Sequence, residues 1–107
     1  MLGRNLPRNF PAIDRFVNGA ATSIKSIDLN AATYESIGSL TSKVQSYIDS
    51  VARFQGYGPV TPQMIVSREL QLAIPAGAGS GAQWAALQGL QQYAGQANVA
   101  LTITQIP

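Results

Sequence analysis

The dipeptide Asn18-Gly19 constrains this chain more than any other feature, because two residues that tolerate positive φ, set between extended segments, form the shortest β-hairpin turn. The flanks run from Phe10 to Val17 and from Ala20 to Asp28, and the spacing predicts two antiparallel strands. A two-residue turn also fixes the register: Asp14 falls opposite Ser23, and Ala12 opposite Lys25. Side chains alternate with period two along a strand, so Ser23 and Lys25 share a face, with Asp14 one diagonal step from Lys25. The turn alone therefore brings together a carboxylate, a hydroxyl and an ammonium.

The rest of the chain alternates between two periodicities. Apolar residues at Tyr34, Ile37, Leu40, Val44, Tyr47, Ile48, Val51 and Phe54 recur at helical spacing and predict one long amphipathic helix from about Ala31 to Phe54. The run Gln55-Gly-Tyr-Gly-Pro59 stops it, and turn residues continue to about Val66. Ser67 to Ile74 reads as a strand with Leu70, Leu72 and Ile74 on one side and Pro75 at its end. After a Gly-rich loop, Ser80 is placed to cap a second helix from Ala82 to about Ala97, and Val99 to Ile106 reads as a closing strand. The fold class is mixed α+β in the order β-β-α-β-α-β, with a mixed four-stranded sheet and helices packed against it. At 107 residues the chain holds one domain, 1–107, of which 1–9 reads as an irregular lead-in.

Composition narrows the chemistry. There is no Cys and no His, which removes disulfides, thiolate or imidazole metal sites, Ser-His-Asp hydrolysis and His-based ribonuclease chemistry. Catalysis must then run on carboxylates, hydroxyls, Lys, Arg or Tyr. Seven Lys/Arg against five Asp/Glu give a net charge of only +2, which permits nucleic-acid binding without announcing it. No run of about 18 apolar residues is present, and the N-terminus lacks the pattern of a secretion signal.

Phosphodiester cleavage with a divalent metal needs hard oxygen ligands and a cation beside the scissile phosphate. Asp14 and the backbone carbonyl of Ile24 suit the first requirement, Lys25 the second, and Ser23 can hold a water or the phosphate. The competing reading is a cross-strand ion pair on a solvated hairpin. Arg4, Arg8 and Arg15 lie near the site strand in sequence and suit phosphate contacts, against a plain surface role. The Gly-Ala-Gly-Ser-Gly loop at 77–81 lacks the Lys-Ser/Thr ending of a nucleotide-binding loop and reads as a connection. Trp84 and Tyr93, on an apolar helical stripe, read as core rather than as base-stacking platforms.

The segments NFPAIDRFVNGAATSIKSIDL, YIDSVARF, RELQLAIP, AQWAALQGLQQYA and ALTITQI, in that order, resemble the C-terminal nuclease domains of CdiA-type contact-dependent growth inhibition toxins. Those domains are similar to the PD-(D/E)XK restriction-endonuclease superfamily, whose site pairs an Asp on one strand with an acid-or-Ser, any residue, Lys triplet on the next. Asp14 and Ser23-Ile24-Lys25 match that pattern. The resemblance implies a toxin that hydrolyses DNA or tRNA through a metal-activated water, with Mg, Mn or Zn as cofactor. It also implies delivery as the end of a large secreted or cell-surface exoprotein, action in the target-cell cytoplasm, and a cognate immunity protein that blocks the site. A non-enzymatic protein-interaction module, or an inactive toxin fragment with the same fold, is the alternative.

One departure stands out. The superfamily's site includes a Glu from a helix upstream of the Asp strand, and residues 1–13 hold no acidic residue. The remaining acids are Asp28, Glu35, Asp49 and Glu69, with Asp28 on the opposite face of its strand from Lys25. The expectation is a nuclease-like core without its N-terminal helix, binding metal poorly and cleaving slowly or not at all.

Overall fold

Asn18 and Gly19 both adopt left-handed backbone, with φ of 51° and 82°, and the turn they form joins β1 (Arg15–Val17) to β2 (Ala20–Ser26). The computed structural model describes residues 13–107; Phe10 to Ala12 of the first predicted strand and the lead-in 1–9 lie outside the described residues. Arg15 pairs with Thr22, Phe16 with Ala21 and Val17 with Ala20, the register that the two-residue turn dictates. Gly19 cannot carry a side chain here, since a Cβ would sit 2.6 Å from Val66 Cγ2 and 3.1 Å from the Met64 carbonyl. That close approach lets the Gly19 carbonyl accept the N–H groups of Val66 at 2.8 Å and Ser67 at 3.2 Å, clasping the turn to the start of β3.

The predicted long helix is split. Ala32–Glu35 forms a 3-10 turn, Ser36 is extended with ψ 116°, and α1 runs Ile37–Arg53. Ser36 breaks the run because its Oγ accepts the Ser39 N–H at 3.3 Å, supplying the cap that a new helix needs. Leu40, Val44, Ile48 and Val51 form the buried face of α1, whereas Ile37, read as part of that stripe, is exposed. Between α1 and β3 the backbone also makes a bridge between Tyr57 and Val60 and a second 3-10 turn at Pro62–Met64.

β3 (Ser67–Pro75), α2 (Gly81–Gln96) and β4 (Ala100–Ile106) follow within a residue or two of the boundaries read from sequence. Ser80 and Gln83 cap α2 reciprocally: Ser80 Oγ accepts the Gln83 N–H at 3.2 Å, and Gln83 Oε1 accepts the Ser80 N–H at 2.8 Å. Gln83 Nε2 then donates to the carbonyls of Leu29 at 3.1 Å and Tyr34 at 2.8 Å, pinning the chain between β2 and α1 to the start of α2.

The sheet order is β1-β2-β3-β4, with β1 antiparallel to β2 and the other pairs parallel. Two right-handed crossovers moving in one direction across a sheet place their helices on the same face. α1 and α2 accordingly pack together over one face, burying Leu70, Leu72 and Ile74 of β3 and Leu101 of β4 against Leu40, Val44, Ile48, Val51, Leu87, Leu90 and Ala94. Each fully buried leucine in this layer contributes about 1.5–3 kcal/mol. A smaller cluster of Ile13, Ala21, Phe54 and Val60 closes the β1–β2 end. The other face is more polar: Glu69 and Gln71 are half-buried there and Thr102 is exposed, with Glu69 accepting from both neighbours.

Candidate active site

β2 presents Ala21, Ser23 and Lys25 toward the helices, since their register partners Arg68, Leu70 and Leu72 share that face. Leu70 and Leu72 are core residues, and the Arg68 guanidinium reaches the Phe54 carbonyl at the end of α1, 2.8 Å away. Ser23 is 1% exposed, lying beneath the helical layer and not on a solvated hairpin. Lys25, two residues on, is half-buried, and its Nζ lies 5.4 Å from the centroid of the Tyr47 ring on α1.

Asp14 stands apart from the regular ladder. Its N–H donates to the Thr22 carbonyl at 2.8 Å, although Thr22 is also the register partner of Arg15. Two residues of one strand thus face one of the other, the arrangement of a β-bulge. Asp14 is therefore not set squarely opposite Ser23. Its carboxylate turns to the edge of β2, where Oδ2 accepts the Ile24 N–H at 2.7 Å. The acid, only 7% exposed, meets the backbone of the residue between Ser23 and Lys25. In a strand the N–H and C=O of one residue point to the same side, so the Ile24 carbonyl faces the same edge. A carboxylate and a carbonyl beside each other form a hard-oxygen donor pair that fits a divalent cation.

The other acids are engaged elsewhere. Asp28 accepts the Asn30 N–H at 3.0 Å, Asp49 accepts the Tyr93 hydroxyl at 2.7 Å, Glu69 is held by Gln71 and Thr102, and Glu35 lies in the exposed 3-10 turn. Among the described residues, no group of three acidic side chains gathers as a metal cage. The hydrogen bond to Asp49, with burial and the Asp49 charge adding to it, raises the pKa of Tyr93 above the ordinary phenol value.

Arg15 pairs with Thr22, and Thr22 with Glu69, so Arg15 lies on the face of the sheet opposite Lys25. Arg4 and Arg8 lie outside the described residues. The loop at 77–81 is a packed connection: Gly79 has φ 101°, and a Cβ there would sit 2.6 Å from Trp84 Nε1, which donates to the Ala78 carbonyl at 3.1 Å. Trp84 and Tyr93 are half-buried against the core.

Sequence reasoning missed Tyr47, which the helical stripe assigned wholly to the core. Lys43, one turn earlier on α1, places its Nζ 5.4 Å from the same ring. The spacing of four was readable as a helical neighbour pair. The approach of Lys25 from β2 was not, because it depends on how α1 packs across the sheet.

A four-stranded mixed sheet with this strand order, helices crossing over one face, and an acid just before one strand beside a Ser-x-Lys on the next defines a restriction-endonuclease-like domain. Comparison with known proteins agrees. The family model described as "CDI toxin restriction endonuclease-like domain" matches residues 1–104, and the chain belongs to that family. Deoxyribonuclease CdiA-o11 of Escherichia coli O157:H7 (strain EC869) is 37% identical over 109 residues, covering 94% of this chain and 28% of the relative. Deoxyribonuclease CdiA of Yersinia pseudotuberculosis serotype O:3 (strain YPIII) is 31% identical over 112 residues, covering 98% of this chain and 10% of that protein. A solved CdiA-CT/CdiI toxin and immunity complex from Yersinia pseudotuberculosis superposes with a TM-score of 0.82 at 28% identity, covering all of this chain and 91% of its counterpart. The chain thus spans a small part of the curated relatives it matches.

Proposed function

We propose that this chain is the nuclease module of a contact-dependent growth inhibition toxin, that its substrate is DNA, and that Asp14, Ser23 and Lys25 carry the reaction. The single observation behind this reading is the 2.7 Å contact that seats the Asp14 carboxylate on the backbone between Ser23 and Lys25. The names of the two relatives favour DNA over tRNA.

Asp14 and the Ile24 carbonyl would hold a divalent cation, which supplies Lewis acidity at the phosphate and a source of hydroxide near neutral pH. The Ile24 N–H fixes the carboxylate in place, so little reorganisation is needed when substrate arrives. Lys25 sets its ammonium beside the phosphate, where negative charge grows as the bond to the leaving oxygen lengthens. Ser23 offers a hydroxyl hydrogen bond to the site from the protein side. The upstream glutamate of the superfamily pattern has no counterpart in residues 1–13, so the cation would be held through fewer carboxylates than that pattern provides.

Kinship with a toxin whose structure was solved in complex with its CdiI partner supports delivery from a neighbouring cell as the end of a CdiA exoprotein and neutralisation by a cognate immunity protein. The test is digestion of plasmid DNA and total tRNA by this chain and by its Lys25→Ala variant, with and without chelator. Expected are nicking of plasmid, untouched tRNA, loss of cleavage in excess chelator, and loss in Lys25→Ala. Equal cleavage, or equal toxicity of the full toxin, with Lys25→Ala would reject these residue roles in favour of a non-enzymatic interaction module or another site.

A further inference from the structure

The ring of Tyr47 is approached by two ammonium groups that come from different elements. Lys25 reaches it from β2 and Lys43 from the preceding turn of α1, each Nζ at 5.4 Å from the ring centroid. The two charges are therefore separated by at most twice that distance, and like charges that close repel. The face of an aromatic ring attracts both, because its quadrupole is negative there, and an aliphatic residue in the same place would pack without doing so. Lys25 is half-buried and Lys43 is exposed. Lys43 also lines a shallow, mostly apolar groove of about 410 Å³ together with Thr33, Tyr34, Ser39, Ser42 and Ser46, side chains that bring hydroxyls and one ammonium but no carboxylate. Hydroxyl and ammonium donors are the groups that grip a phosphodiester backbone without reading its bases.

Resting on the assignment of Lys25 to the site, we propose that Tyr47 is a positioning residue: its ring aims the Lys25 ammonium at the scissile phosphate and holds Lys43 as a second cation for a neighbouring phosphate of the strand in the groove. The two lysines then act as one unit, joined through a ring that touches no substrate atom.

Three variants of the full toxin test this in plasmid cleavage, alongside Lys25→Ala. Tyr47→Phe keeps the ring and is expected to stay within about twofold of wild type, whereas Tyr47→Leu is expected to lower kcat about ten- to a hundredfold through misplacement of Lys25. Lys43→Gln is expected to act mainly on KM and to reduce the slope of log affinity against log salt by about one counterion. Proton shifts of the lysine ε-methylenes give a readout independent of cleavage: upfield ring-current displacement of Lys25 and Lys43 is expected in wild type and Tyr47→Phe. Its absence in wild type overturns the proposal even if Tyr47→Leu does not fold. Full activity of a folded Tyr47→Leu beside an inactive Lys25→Ala overturns this proposal alone, whereas full activity of Lys25→Ala overturns the site assignment and the proposal with it.

Discussion

Oδ2 of Asp14 accepts the backbone N–H of Ile24 at 2.7 Å, so a side chain takes over from the strand ladder at the point where β1 gives way to a bulge. Asparagine keeps an acceptor oxygen at this place and loses the charge. Asp14→Asn is therefore expected to unfold at nearly the wild-type denaturant midpoint while cleaving no DNA. Asp14→Ala strands the Ile24 N–H in a part-buried setting and is expected to cost about 1–3 kcal/mol as well. Urea titration and plasmid nicking, run on both variants, separate the structural duty of the carboxylate from the chemical one.

Gln83 is 5% exposed and serves three backbone groups at once, those of Ser80, Leu29 and Tyr34. Removing it leaves a helix N-terminus and two loop carbonyls without their partner. Gln83→Ala is expected to lower stability by about 2–3 kcal/mol, and Gln83→Glu to restore only the Ser80 contact because a carboxylate cannot donate. Denaturant midpoints check both.

Gly19 at φ 82° sits where any Cβ meets Val66 and the Met64 carbonyl. Gly19→Ala is expected to cost about 1–2 kcal/mol. The strain falls on the register that places Lys25, so cleavage should fall even at temperatures where the variant remains folded. Circular dichroism melting paired with initial rates tests whether the two effects appear together.

Tyr93 has its pKa raised, first by its hydrogen bond to Asp49. A phenol whose folded value lies above its unfolded value favours the neutral form in the native state. Its contribution is complete below about pH 10 and declines as pH climbs through the folded value. Melting temperature should thus fall more steeply above about pH 10 in wild type than in Tyr93→Phe, with the other tyrosines common to both. Parallel slopes for the two proteins would contradict this account.

The hairpin was legible because Asn-Gly turns admit few geometries, and the strands after it because their apolar positions alternate between turn residues. The faces of β3 and the capping of α2 by Ser80 were readable for the same local reasons. The helix break at Ser36 was not, since a serine inside an otherwise continuous stripe is capped or uncapped according to tertiary demands. At the site, the register put Ser23 and Lys25 on one face, but the bulge at Asp14 is invisible in a pattern of alternating residues. Burial of Ser23 and the meeting of Lys25 with Tyr47 depend on where two parallel crossovers lay their helices, which no local window encodes.

The clasp of Gly19 on Val66 and Ser67 ties the tip of a local hairpin to a segment nearly fifty residues downstream. Because Val66 and Ser67 lead straight into β3, whose pairing with β2 begins at Ala20, a protease nick between the end of α1 and Met64 would leave the clasp standing and the hairpin tip still seated.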